Sequence, residues 1–260
     1  MADKGSSMEK RWHKQTVGTD GKAPFVWLHG WGQTGASMAR LADLFKADGQ
    51  HTLYDLPGFG ETAPLQEGAG TEDYADALAA EMKASGLGPA VIVGHSFGGR
   101  MAVQMAARHP DLVRAIIIIG GAGLKRRRSL AFRLRAFWLK LVGRMARLSD
   151  KLFGTHFREA YTQKFGSADY RNAGVLRGTF VRAVNENLTA AAKAGRAPAL
   201  LIYGSEDTET PPEIGRRYEQ LIPIARFELV PGFGHLDILT RGAYQCEALM
   251  RTFLEDLKNA

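Results

Sequence analysis

An α/β fold is predicted for this 260-residue chain: a mostly parallel sheet covered by helices on both faces, with a helical cap inserted. Three features predict it. Apolar runs of strand length recur, helical patterns separate them, and the runs are continuously apolar rather than alternating. Continuous hydrophobicity suits strands buried on both faces of a parallel sheet. Strands alternating with helices imply crossover connections that cover those faces.

The elements follow in order. "RWHKQTVG" reads as an edge strand ahead of the sheet. The core strands are "APFVWL" (Ala23–Leu28), "HTLYDL" (His51–Leu56), "AVIVG" (Ala90–Gly94), "VRAIIII" (Val113–Ile119), "PALLIYG" (Pro198–Gly204) and "RFELV" (Arg226–Val230). Helical patterns lie near 36–47, 71–85, 97–109, 211–221 and 240–258. Between Ile119 and Pro198 the chain is helical in character with no core strand, too long for an ordinary connection. The division expected is a core of 1–120 and 198–260 with a cap of 121–197.

Composition narrows the class. The chain is 45% hydrophobic and 23% charged, enough apolar material for one sizeable core. Its single cysteine, Cys246, excludes an intramolecular disulfide and supplies no metal cluster; in "AYQCEALMRTFLEDL" it reads as a packed thiol. No metal or organic cofactor is expected. No apolar run is long enough to span a bilayer, and "MADKGSSMEKRWHKQ" lacks the apolar core of a signal peptide, so cytoplasm is the expected compartment.

The chemistry starts at "VIVGHSFGGRMAVQMA", Val91–Ala106. A strand, then G-H-S-F-G, then a helix is a nucleophile elbow in its required context. Glycines at 94 and 98 admit a turn too tight for side chains, and the helix behind Ser96 points N–H groups at negative charge developing there. A serine hydroxyl needs a base, and the base an orienting acid. Asp207 stands just beyond a buried strand in "LLIYGSEDTETP", and His235 just beyond the next in "FELVPGFGHLDIL". Both would emerge at the carboxyl edge that carries Ser96. Glu206 and Asp237 are rival acids, with Glu209 a weaker one.

Six other histidines compete with His235. His13 and His51 read as surface residues near strand starts, His109 as a helix C-terminal cation, and His156 lies in the insertion. His95 beside the serine and His29 opening "HGWGQTG" read as packing and bracing groups near the substrate pocket. The "HGWGQTG" turn would place the Trp31 N–H, with the Phe97 N–H, in an oxyanion hole.

"LHGWGQTG", "DLPGFGET", "GHSFGG", "YGSEDTETP" and "PGFGH" together resemble the signature segments of the α/β-hydrolase superfamily, over about 23–120 and 198–258. The resemblance implies a Ser–Asp–His order of catalytic groups. Dehalogenases and epoxide hydrolases of the superfamily carry Asp where Ser96 stands, which argues against those activities. "HGWG" is similar to the oxyanion segment of carboxylesterases, including methyl esterases of carrier-protein substrates, which have Trp where His95 stands. It departs from the HGGG loop of hormone-sensitive-lipase-like esterases.

The insertion is basic. Leu124–Arg182 holds fifteen Lys or Arg against three acids, a net of +12 in a chain of +7. Arg133, Lys140, Arg144, Arg147 and Lys151 share one helical face, while Leu134, Trp138, Leu141, Met145 and Leu148 share an adjoining one that would turn to the core. Phe132, Phe137 and Trp138 would then line an acyl pocket. The basic face is either simply solvated or meets an acidic carrier protein, an anionic membrane surface or an anionic substrate. No nucleic-acid-binding motif accompanies the charge.

The function expected is a serine hydrolase that cleaves carboxylic esters of small to medium acyl groups through an acyl-enzyme. C–C bond hydrolysis of a dienoate-type diketone, an ester on an acyl carrier protein, and a ligand-binding receptor on the same fold remain open alternatives.

Overall fold

The computed structural model describes residues 12–19, 24–125, 130–153 and 172–259. Seven strands form one sheet: β1 (Lys14–Gly18), β2 (Phe25–Leu28), β3 (Gln50–Tyr54), β4 (Ala90–His95), β5 (Val113–Ile119), β6 (Ala199–Gly204) and β7 (Ala225–Val230). Their spatial order is β1-β3-β2-β4-β5-β6-β7. Only β1 runs antiparallel, pairing Lys14 with Tyr54 and Gly18 with Gln50 on β3; the other pairs are parallel.

The continuous hydrophobicity has the structural meaning expected of it. Successive side chains point to opposite faces. On β2, Val26 and Leu28 join the core on one face, and Phe25 and Trp27 join the core on the other. The first face is covered by α2 (Thr71–Ala84), α3 (Phe97–Arg108) and α7 (Pro212–Glu219), through Leu78, Met101 and Ile214 among others. The second is covered by α1 (Ala39–Asp43) and α8 (Ala243–Asn259), through Leu41, Cys246 and Met250. Burial pushes the Cys246 thiol up to about 12, so it packs as a small apolar group.

Among the described residues, three α-helices lie between β5 and β6: α4 (Leu130–Phe153), α5 (Arg177–Asn185) and α6 (Thr189–Ala194). Leu176, Ala183, Leu188 and Ala192 belong to the same core as α2 and α3, so the second half of the insertion is built into the body. α4 departs from expectation. Leu134, Phe137, Trp138, Met145 and Leu148 are exposed, not turned to the core. A stripe at helical spacing fixes that one face is apolar, but not which way the helix is rolled.

Candidate active site

The polypeptide turns sharply between β4 and α3. Ser96 adopts φ +50°, the sole non-glycine residue with positive φ among those described. Such strain persists only where the surroundings over-determine it. Here they do, because a Cβ on Gly98 would lie 2.1 Å from the Leu28 carbonyl oxygen, and one on Gly94 2.4 Å from the Gly98 carbonyl oxygen. The helix start is therefore pressed against β2 with no room for side chains, and Ser96 stands half-exposed above it.

His235 meets that serine from the loop after β7. Its Nε2 lies 2.9 Å from Ser96 Oγ, and its Nδ1 lies 2.7 Å from Asp207 Oδ2. A carboxylate only accepts, so Nδ1 carries the proton and Nε2 is left to receive one from the serine. Asp207, on the loop after β6, is buried. Burial pushes its carboxyl up, but hydrogen bonds from His235 and from Thr210 outweigh this and hold it below the usual range.

The rival acids lie elsewhere. Glu206 is exposed. Asp237 accepts the Gly234 N–H at 2.6 Å and pairs with Arg241 at 3.0 Å, so it fastens the turn that carries His235. Glu209 comes within 3.6 Å of His235 Nε2 but is largely exposed. A residue that sequence reasoning missed is Thr210. Its hydroxyl lies 2.7 Å from the Gly120 carbonyl oxygen, 2.8 Å from Asp207 Oδ2 and 3.1 Å from His235 Nδ1. Nothing local marks it, because its partners come from two other segments.

His29 and His95 are both wholly buried and serve as braces. His29 donates from Nδ1 to the Gly30 carbonyl at 2.7 Å and accepts the Leu56 N–H at Nε2, 2.9 Å. It thus ties the "HGWG" turn to the "DLPGFG" loop, and burial lowers its pKa to about 4. His95 donates from Nε2 to the His235 carbonyl at 2.9 Å, and burial lowers it to about 3. His51 corrects an expectation: it is buried, accepting the Trp27 indole N–H and donating to the Phe45 carbonyl. His13 pairs with Asp55, and His109 with Asp76. His156 lies outside the described residues.

Phe97 follows the serine and its ring packs on Trp31, and neither the Trp31 nor the Phe97 N–H has a backbone acceptor among the described residues. Around the Trp31 ring stand Phe97, Phe59 and Phe180, with ring centroids 5.3, 5.0 and 5.1 Å away. Phe137 and Trp138 are 61% and 58% exposed and line no acyl pocket, while the Phe132 side chain lies outside the described set. A cleft of about 320 Å³ between Arg114 and Arg251 opens beside Phe25 and Val91, the strand ends opposite Ser96. Among the described residues, no cluster of His, Cys, Asp and Glu could hold a metal ion.

A parallel sheet with a strained serine at the end of a central strand, and His and Asp on the last two βα loops, defines a class of hydrolases. The family model described as the alpha/beta hydrolase fold matches residues 23–242, and the chain belongs to that family. Among curated relatives, the chain is similar to the pimeloyl-[acyl-carrier protein] methyl ester esterase of Chromobacterium violaceum, 32% identical over 245 residues. That match covers 86% of this chain and 92% of the relative. The enzyme of the same name from Neisseria meningitidis is 28% identical, covering 88% and 92%. Among solved structures, a thermophilic esterase from Thermogutta terrifontis superimposes with a TM-score of 0.70 at 20% identity, covering 95% of this chain and 93% of the other. That likeness shows the fold alone.

Proposed function

We propose that this hydrolase, an ester hydrolase, works through an acyl-enzyme formed on Ser96. One observation carries the reading: the unbroken hydrogen-bonded line from Asp207 through His235 to Ser96 Oγ, at 2.7 and 2.9 Å. Ser96 Oγ attacks the ester carbonyl as its proton passes to His235 Nε2. The ionised Asp207 stabilises the imidazolium through Nδ1–H. The N–H groups of Trp31 and Phe97 bind the oxyanion, and Phe59 and Phe180 flank the acyl group. His235 then protonates the departing alcohol. A water deprotonated by the same nitrogen cleaves the acyl-enzyme and releases the acid. His29 and His95 are given no part in proton transfer: His29 holds backbone groups with both ring nitrogens, His95 holds the His235 carbonyl, and His235 is the ring whose nitrogen meets Ser96 Oγ.

Small to medium acyl esters are the substrates proposed. An ester borne on an acidic acyl carrier protein is the second reading, favoured by the relatives' names and by the +12 charge of 124–182. We assign the chemistry to the core of 1–120 and 198–260 and the contact with substrate to the cap of 121–197. One buried, protonated thiol suits a cytoplasmic address. The test is a p-nitrophenyl ester panel of graded acyl length, with fluorophosphonate labelling. Ser96→Ala is expected to abolish both hydrolysis and labelling while the thermal midpoint stays near wild type. Turnover by a folded Ser96→Ala protein would overturn the serine mechanism. Labelling with no ester turnover would favour a C–C bond hydrolase, and absence of both a receptor.

A further inference from the structure

Among the described residues, the apolar stripe of α4 is left exposed. At about 100° per residue, Leu134, Phe137, Trp138, Met145, Leu148 and Leu152 fall within an arc of about 100°. Each of these six is between 57% and 64% exposed. Of the partly buried positions, Leu139, Gly143 and Asp150 fall on the opposite side and Ser149 beside the stripe, while the stripe itself is turned outward. Arg144, Arg147 and Lys151 stand exposed along one flank of the stripe. Soluble proteins seldom expose a continuous apolar surface of this size unless it binds something.

We infer that α4 lies in the surface of an anionic lipid bilayer, apolar stripe in the acyl boundary and basic flank among the headgroups. Three observations favour lipid over a protein groove. The stripe runs unbroken from Leu134 to Leu152, about 27 Å at 1.5 Å per residue, whereas a groove reads a few anchors at one-turn spacing. Phe and Trp sit within it, the side chains suited to the membrane interface. The cations lie at the stripe's margin, at the depth of phosphate headgroups, not scattered over the apolar face. No helix among the described residues is long and apolar enough to cross a membrane, so the association is peripheral. The inference concerns α4 alone and does not depend on which ester is cleaved.

Co-sedimentation with vesicles tests it: phosphatidylcholine alone, and phosphatidylcholine with phosphatidylglycerol in a 2:1 mixture. Wild type is expected to bind the mixed vesicles and to bind the neutral ones far more weakly. Leu148→Gln with Leu152→Gln should weaken binding about tenfold or more, because each leucine no longer enters the acyl region. Arg144→Glu with Arg147→Glu should weaken it about a thousandfold, since each charge near an anionic surface contributes about 1 kcal/mol, each reversal turns that attraction into a similar repulsion, and about 1.4 kcal/mol is a factor of ten. Thermal midpoints close to wild type establish that both variants are folded. No binding of wild type to the mixed vesicles at low salt would overturn the inference. So would binding that is indifferent to the leucine pair. Vesicle binding absent while an acidic carrier protein is bound, and lost in both variants, would reassign the surface to a protein partner.

Discussion

Asp207 shows how a carboxylate is kept ionised where burial favours the neutral acid. Its Oδ1 accepts the N–H groups of Glu209 and Thr210, at 2.9 and 2.7 Å, and its Oδ2 accepts from His235. The chain folds round the carboxylate, so the charge is held by fixed dipoles instead of water. Asp207→Asn keeps the shape but presents an amide that can donate to Nδ1, favouring the tautomer with Nε2 protonated. That tautomer cannot accept the serine proton. The expected loss in kcat is about 10⁴-fold, the scale of this change in a serine-protease triad. Glu206→Gln and Asp237→Asn should cost little by comparison, because neither carboxylate touches His235. A collapse in Asp237→Asn with near-normal kinetics in Asp207→Asn would reassign the acid. Thr210→Val removes a hydroxyl that touches both Asp207 and Gly120 and should lower kcat roughly tenfold, about 1.4 kcal/mol in the barrier. Unchanged kcat in that variant would leave the backbone N–H groups alone as the support of Asp207.

At the scale of elements, the β4–α3 turn is fixed by what glycine leaves out. The Cβ of Gly98→Ala would meet the carbonyl of Leu28, backbone of the neighbouring strand that cannot move without breaking the β2–β4 pairing. Overpacking of this kind costs about 1–3 kcal/mol, with the upper end expected here. Gly32→Ala is the comparison: φ is +71°, but nothing lies within 4 Å of the added carbon. It should cost about 1 kcal/mol from backbone conformation alone. Equal denaturation midpoints for the two variants would refute the close-approach argument. This turn was legible in the sequence because strand, glycines, serine and helix are consecutive. Other features were not, for a common reason. His51 is buried by Trp27 and Phe45, which reach it from another strand and from the turn after α1, and Thr210 acts on Gly120 and His235. The α4 stripe was visible, yet its outward roll depends on what packs on the other side. Periodicity reports a face; only tertiary packing reports where that face points.

For the whole molecule, the same burial that shapes the site sets its response to acid. His29, His51 and His95 all lie in the interior as neutral rings, each with its pKa lowered chiefly by desolvation. In the unfolded chain each would titrate near 6.5. As pH falls below that value the unfolded state takes up protons that the folded state refuses, so unfolding becomes more favourable. The loss continues down to about 4 for His29 and about 3 for His95. Each such histidine contributes a slope of about 1.4 kcal/mol per pH unit within its window. Asp207 adds to the loss at lower pH, because its depressed carboxyl must be protonated there. Glu186 works the other way: burial raises its pKa, so it favours folding as it protonates. With three histidines against one carboxyl, the urea midpoint should be nearly flat from pH 8 to 7 and fall steeply below pH 6. His95→Gln isolates one term. The amide still offers an N–H toward the His235 carbonyl but has no proton to gain, so the slope between pH 6 and 4 should be shallower by about one proton. If the variant and wild type fall in parallel, His95 is protonated inside the folded protein, and the neutral, donating imidazole assigned to it beside His235 is wrong.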